Sequence, residues 1–185
     1  MSSTAATPLA IHRVTIERWD DLVALFERPG TRGGTPMPDS CWCMWWRART
    51  GDGAANKAAM RQRVTAGPAP GLLGYLQAVP VGWVAIAPQE TYGQLGTSRL
   101  YRPQQPQDDT YVIACFYIDP AQRKQDVGVQ LLGGAVEHAR ASGARRVHAY
   151  PNERPDYMGA PGWFAEAGFT PVRLAGKRTI VELEL

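Results

Sequence analysis

Charge of one sign is scarce in this sequence: 20 Lys and Arg against 17 Asp and Glu leave a net charge of +3 over 185 residues. An imbalance that small gives no argument for a nucleic-acid partner. Cysteine is scarcer, at three residues, an odd number that cannot all pair and that suits a reducing cytoplasm. No apolar run approaches the length of a membrane span, so no membrane partner is expected. The opening MSSTAATPLA lacks both the basic region and the apolar core of a secretory leader. Internal repeats and low-complexity stretches are absent as well. These absences lead us to expect a cytoplasmic globular protein.

What is present agrees. A chain that is 44% apolar and 20% charged has globular composition. Its length fits one domain with a real core. Residues 1–8 are expected to be a disordered tail and 9–185 a single domain. A first strand is expected over Leu9 to Ile16, then a helix in which Trp19, Leu22, Val23 and Phe26 recur at helical spacing. The glycine- and proline-rich stretch Arg28 to Ser40 reads as a loop. A second helix runs from the N-cap Asp52 to Ala66, stopped by Gly67-Pro68. GLLGYLQA and VGWVAIA flank Val79-Pro80 and predict a hairpin that turns there. Pro88 to Asp109 is a second long loop with a short helical turn near Glu90 to Leu95, and loops of that length are usually functional or mobile.

The C-terminal half is more regular. Tyr111 to Ile118, YVIACFYI, is a continuous apolar strand of the kind buried on both faces. Val127, Leu131, Leu132, Ala135, Val136 and Ala139 form one helical stripe that ends near Gly143. Arg145 to Tyr150 is the next strand, and the spacing predicts a parallel βαβ unit. Pro161 opens a short helix, PGWFAEA, ending at Gly168, and strands follow over Thr170 to Leu174 and Arg178 to Leu185. Between the buried strand and its helix lies RKQDVG, Arg123 to Gly128. Strand, loop and helix N-terminus form an arrangement that holds phosphate, because unpaired N–H groups and a partial positive charge face the loop. Arg123 and Lys124 add charge there. Asp126 is a residue type that tolerates left-handed geometry and can cap a helix, but its carboxylate repels phosphate.

Three segments of this half carry a family resemblance. CFYIDP leading into QRKQDVGVQLL resembles the R/Q-x-x-G-x-G/A loop and following helix of the GNAT superfamily of acyl-CoA-dependent N-acetyltransferases, with Asp126 where the family has its first glycine. A-x-x-x-G-A-R-R-V and WFAEAGF are similar to that family's next helix end and its late short helix. The resemblance covers about residues 71–185, and over 9–66 it rests on element order alone. It implies a mixed α/β fold: a mostly antiparallel central sheet with a parallel β-α-β core and helices on both faces. It also implies direct attack of an amine on the thioester of acetyl-CoA, a co-substrate, with no metal. The expected partner is a small-molecule or peptide amine, and whether the chain forms a homodimer is left open.

The resemblance implies site residues too. The backbone of Phe116, Tyr117 and Ile118 matches the strand that pairs with the pantetheine arm and polarises the thioester carbonyl. Arg123, Lys124, Gln125, Asp126, Val127, Gly128 and Val129 match the pyrophosphate loop. The family's late N-x-x-A-x-x-x-Y-x-x-x-G-F falls on Tyr157, Ala160, Phe164, Gly168 and Phe169, so a phenylalanine stands where the acidic tyrosine is usual. Tyr157 is the candidate replacement acid, with Tyr150 a second option; a thiolate of pKa about 8.5 can also leave with little help. Glu90 is the favoured base, ahead of Asp108, Asp109, Glu153 and Asp156. In CWCMWWR, the residues Cys41, Trp42, Trp45 and Trp46 fit either an aromatic-walled acceptor pocket or a core plug, with Arg47 or Arg49 available to pair an acceptor carboxylate. Cys-x-Cys with a distant Cys115 does not supply a metal site. A domain of this kind that binds or senses acyl-CoA without transferring it is the alternative.

Overall fold

The computed structural model describes residues 7–28, 41–48, 51–103, 108–123, 125–154 and 156–185. Its strands are β1 (Ala10–Arg13), β2 (Leu72–Leu76), β3 (Val79–Pro88), β4 (Thr110–Ile118), β5 (Arg146–Ala149), β6 (Thr170–Ala175) and β7 (Arg178–Glu184). Its helices are α1 (Trp19–Phe26), α2 (Gly53–Ala66), α3 (Gly93–Thr97), α4 (Val127–Ala141) and α5 (Pro161–Glu166). The strands form one seven-stranded sheet in the order β1-β2-β3-β4-β5-β7-β6. Every neighbouring pair is antiparallel except β4 and β5, which are joined through α4. The expected mixed α/β fold with a parallel βαβ core is the fold found.

Each face of the sheet has its own core. On one face, Trp19, Leu22 and Phe26 of α1, Met60 of α2 and Met44 pack on Trp83 and Tyr117. On the other, Leu131, Leu132 and Ala135 of α4 and Phe164 of α5 pack on Val84, Ile86, Ile113 and Phe116. β4 is buried on both faces, which explains why its sequence is apolar without alternation. No described helix is long and apolar enough to cross a membrane.

Local chemistry accounts for most boundaries. The Asp52 side chain caps α2, accepting from the amides of Ala54 at 2.8 Å and Ala55 at 3.3 Å. Pro161 sits in the first turn of α5, as expected. Two boundaries differ from expectation. β1 ends at Arg13 rather than Ile16, because Ile16–Arg18 forms a tight helical turn leading into α1. The hairpin turns at Gln77-Ala78, not at Val79-Pro80: both residues are left-handed, with φ 47° and 66°, which matches the twist of the flanking strands. Pro80 lies inside β3 opposite Tyr75, beside a register shift at Gly74 and Tyr75, where a missing N–H is tolerated. Of the expected tail, residues 1–6 lie outside the described residues; the Thr7 carbonyl accepts from the Gln130 side chain at 3.2 Å.

Two irregularities in β4 open the sheet. Ala85 pairs with Cys115 but Ile86 pairs with Ile113, so Ala114 is an extra residue and bulges. Ala114 and Cys115 consequently both face the α1 side. Pairing with β5 also stops at Ile113 and Ala149, which leaves Ala114 to Ile118 without a strand partner on that edge.

Candidate active site

The opened end of β4 carries a cleft on each side. The first, of about 550 Å3, lies between Phe116 to Ile118, the loop at Gln122 and Arg123, the first turn of α4, and Trp163. The second, of about 580 Å3, lies among Cys41, Cys43, Trp45, Trp46, Tyr101, Ala114 and Cys115. Asp156 and Tyr157 line both clefts, so the two meet at these residues.

The first cleft has the chemistry of an anion site. The amides of Val127, Gly128 and Val129 open a helix of 15 residues and have no partner within it. Arg123 stands beside them. Asp126 is left-handed at φ 57°, ψ 12°, as its residue type permits, but its side chain makes no capping bond; the expected cap is absent. Its exposed carboxylate lines the cleft. Gly128 packs directly against Trp163. A Cβ there would lie 2.3 Å from the Trp163 ring, so the glycine seats Trp163 across the first turn. Gln125 lies outside the cleft lining and donates to the Ala121 carbonyl at 3.5 Å. Lys124 lies outside the described residues. Trp163, Gln122 and Gly159 belong to the lining and carried no sequence signal as ligands.

At the junction, the Phe116 amide donates to the Tyr157 carbonyl at 2.5 Å. The Tyr157 side chain stays 47% exposed, which makes it the one candidate acid in contact with both clefts. Tyr150 reaches neither: it is buried against Tyr101, and burial pushes its phenol up to about 12. Phe164 is fully buried between Phe116 and Phe169, so the position that usually holds the acid is core here.

The favoured base is misplaced by the structure. Glu90 is exposed in the turn after β3 and lines neither cleft. Asp108, Asp109 and Glu153 line neither as well. Asp156 does, with both oxygens engaged. Oδ1 accepts from the Met158 amide at 2.9 Å and from Arg178 at 3.3 Å, and Oδ2 accepts from Arg178 at 2.6 Å.

The CWCMWWR segment divides between the two readings of it. Trp42 and Cys43 are both left-handed, at φ 38° and 52°. Trp42 enters the core, stacked on Trp19 at 6.0 Å and against Phe26 at 5.4 Å, so it is not an acceptor residue. Cys41, Trp45 and Trp46 line the second cleft. Cys43 Sγ accepts from Trp83 Nε1 at 2.9 Å. Contact with Cys43 and burial push the Cys115 thiol well above its ordinary pKa, which keeps it protonated. Arg47 is a buried tie, not a carboxylate receptor: it donates to Thr91 at 2.8 Å, the Pro70 carbonyl at 3.0 Å and the Tyr92 hydroxyl at 2.9 Å, and stacks on Tyr92. Arg49 lies outside the described residues. Among the described residues no group of three or more His, Cys, Asp or Glu is placed to hold a metal ion.

A family model described as the acetyltransferase (GNAT) family matches residues 38–169. No curated protein matches the chain in sequence. Among solved structures, PaiA N-acetyltransferase from Thermoplasma acidophilum, in complex with coenzyme A, superposes with a TM-score of 0.58 at 12% identity, covering 97% of this chain and 100% of that one. The GNAT domain of PAT from S. lividans gives 0.61 at 17% identity, covering 96% and 90%. A polyamine N-acetyltransferase from Drosophila melanogaster, which forms N-acetylagmatine, gives 0.59 at 11% identity, covering 96% and 100%. At these identities the likeness establishes the fold.

Proposed function

The chain belongs to the acetyltransferase (GNAT) family, and from that premise we propose that it moves an acetyl group from acetyl-CoA to the primary amine of a small molecule or peptide, by direct attack with both substrates bound. The observation that carries this is the pair of clefts that share Asp156 and Tyr157. One has the unpaired helix amides and the arginine that suit a diphosphate; the other has the size and aromatic wall of a small-molecule site.

In this reading, coenzyme A lies in the first cleft with its pyrophosphate at the Val127 to Val129 amides and Arg123. Its pantetheine arm follows the edge of β4 at Tyr117 and Ile118, which has no strand partner, while the Phe116 amide is held by the Tyr157 carbonyl. The amine enters from the second cleft. Its nitrogen forms a bond to the thioester carbon, the C–S bond breaks, the nitrogen gives up a proton and the departing thiolate takes one. Proximity supplies much of the acceleration, because both reactants are held at one junction. The exposure of Tyr157 at the junction of the two clefts supports it as the acid that protonates the thiolate.

One observation favours an acyl-CoA-sensing module instead: Asp126 sets a carboxylate beside the anion site. Release of free thiol from acetyl-CoA in the presence of a panel of primary amines, with mass detection of the N-acetyl product, decides between the two. Transfer predicts thiol and acetylated amine in equal amounts. Saturable acetyl-CoA binding with no thiol release is the outcome expected of a sensor.

A further inference from the structure

The second cleft contains a single described carboxylate, and that carboxylate is already matched. Asp156 is held by Arg178 through both oxygens, and Arg178 also donates to the Tyr150 carbonyl at 3.0 Å. The pair is neutral as a unit. It leaves no spare carboxylate to receive an ammonium and no spare guanidinium to receive a carboxylate. The remaining wall is apolar or polarisable: Trp45, Trp46, Tyr101, Met158 and the three cysteines. Its rings brace one another, Trp46 meeting Tyr101 edge to face at 5.2 Å and Tyr101 meeting Tyr150 at 6.0 Å. Trp45 stays 48% exposed.

We infer that the acceptor is a monoamine carried on an aromatic or branched apolar body, and that it enters the cleft as the free base. This rests on the transfer activity proposed above. A polyamine or an amino acid would bring a second charge into a wall whose described residues hold no unmatched counter-charge, and an uncompensated charge taken out of water is costly. An apolar body instead buries its surface against indole and phenol faces. The same wall settles how the nucleophile becomes competent. Moving an ammonium into apolar surroundings favours its neutral form, and only the neutral amine has a lone pair for the thioester carbon. No described lining residue other than Asp156 could take the amine's proton as a carboxylate. Deprotonation is therefore done by solvent before or during entry, and the acceptor's own basicity governs the rate.

The test measures thiol release from acetyl-CoA with phenethylamine, phenylalanine, spermidine and β,β-difluorophenethylamine over a pH series. The expected result is a kcat/KM for phenethylamine at least tenfold above those for phenylalanine and spermidine. The acid limb of kcat/KM should follow the acceptor's pKa and move to lower pH with the fluorinated amine. Trp45→Ala should raise the phenethylamine KM at least fivefold while acetyl-CoA affinity stays unchanged. A preference for spermidine or phenylalanine, an acid limb fixed at one pH for both phenethylamines, or an unchanged KM in Trp45→Ala overturns the inference and leaves acetyl transfer standing. Thiol release with none of the amines, in a protein that binds acetyl-CoA, defeats the transfer reading itself and the inference with it.

Discussion

The Phe116 amide and the Tyr157 carbonyl are hydrogen-bonded at 2.5 Å across the gap where β4 parts from β5. The bond joins the strand edge of one cleft to the residue that lines both. It uses the Tyr157 backbone, so the phenol is not needed to keep the loop in place.

That separation makes a clean substitution possible. Tyr157→Phe should keep the Phe116 bond, the fold and acetyl-CoA affinity, and lower kcat by about a hundredfold if the phenol protonates the thiolate. Single-turnover kinetics and a calorimetric titration read the two effects separately. A wild-type kcat in this variant would mean that the thiolate leaves unaided.

Asp126 sets an anion beside the anion site. Asp126→Asn keeps a residue type at home in the left-handed region and removes the charge. Acetyl-CoA should bind several-fold tighter, worth about 1 kcal/mol at a partly solvated site. The gain should shrink as salt is raised. Titration at two ionic strengths checks both statements. No gain at low salt would mean that the carboxylate does not act on the phosphates.

Gly128 and Trp163 should behave as one unit. Gly128→Ala drives a Cβ to 2.3 Å from the Trp163 ring and should cost about 1–3 kcal/mol by overpacking. Adding Trp163→Leu should recover part of that loss, so the pair should be non-additive in urea unfolding. Additive effects would show that the two side chains do not share the space.

His148 links stability to pH. It is buried beside Glu182, with Nε2 2.6 Å from the carboxylate. Burial lowers its pKa more than the Glu182 contact raises it. A folded pKa below the unfolded one means that the unfolded chain binds the proton more readily. The contribution is thus full above the unfolded value of about 6.5 and is lost as pH falls below it. His138, lowered mainly by burial, adds in the same direction. Tm should drop between pH 7 and 5, and His148→Gln should flatten that drop. An identical pH slope in the variant would remove His148 from the account.

The parts of this molecule visible in the sequence are those fixed by local rules. The α4 stripe, the Asp52 cap, Pro161 at the head of α5 and the left-handed Asp126 follow from residue spacing and type. The hairpin turn escaped because Val79-Pro80 looks like a turn, while Gln77-Ala78 takes a backbone shape usual for glycine or asparagine. The site is legible in the sequence at its first cleft, because a strand, a loop and a helix are consecutive there. Elsewhere it is assembled from distant segments. Arg178 reaches Asp156 from β7, and Trp163 covers Gly128 from α5. Glu90 lies in the turn that follows β3, but the chain turns it to solvent. Trp42 and Trp45 are alike in sequence and opposite in fate, because a double left-handed turn sends one into the core.

The central claim is that the two clefts form one continuous path through Asp156 and Tyr157. A bisubstrate compound, phenethylamine joined to the sulfur of coenzyme A through an acetyl linker, tests it in a single calorimetric titration. If the clefts are joined, tethering raises the effective concentration of the second half, and the compound should bind at least about a hundredfold tighter than coenzyme A. Binding no tighter than coenzyme A itself would contradict the claim.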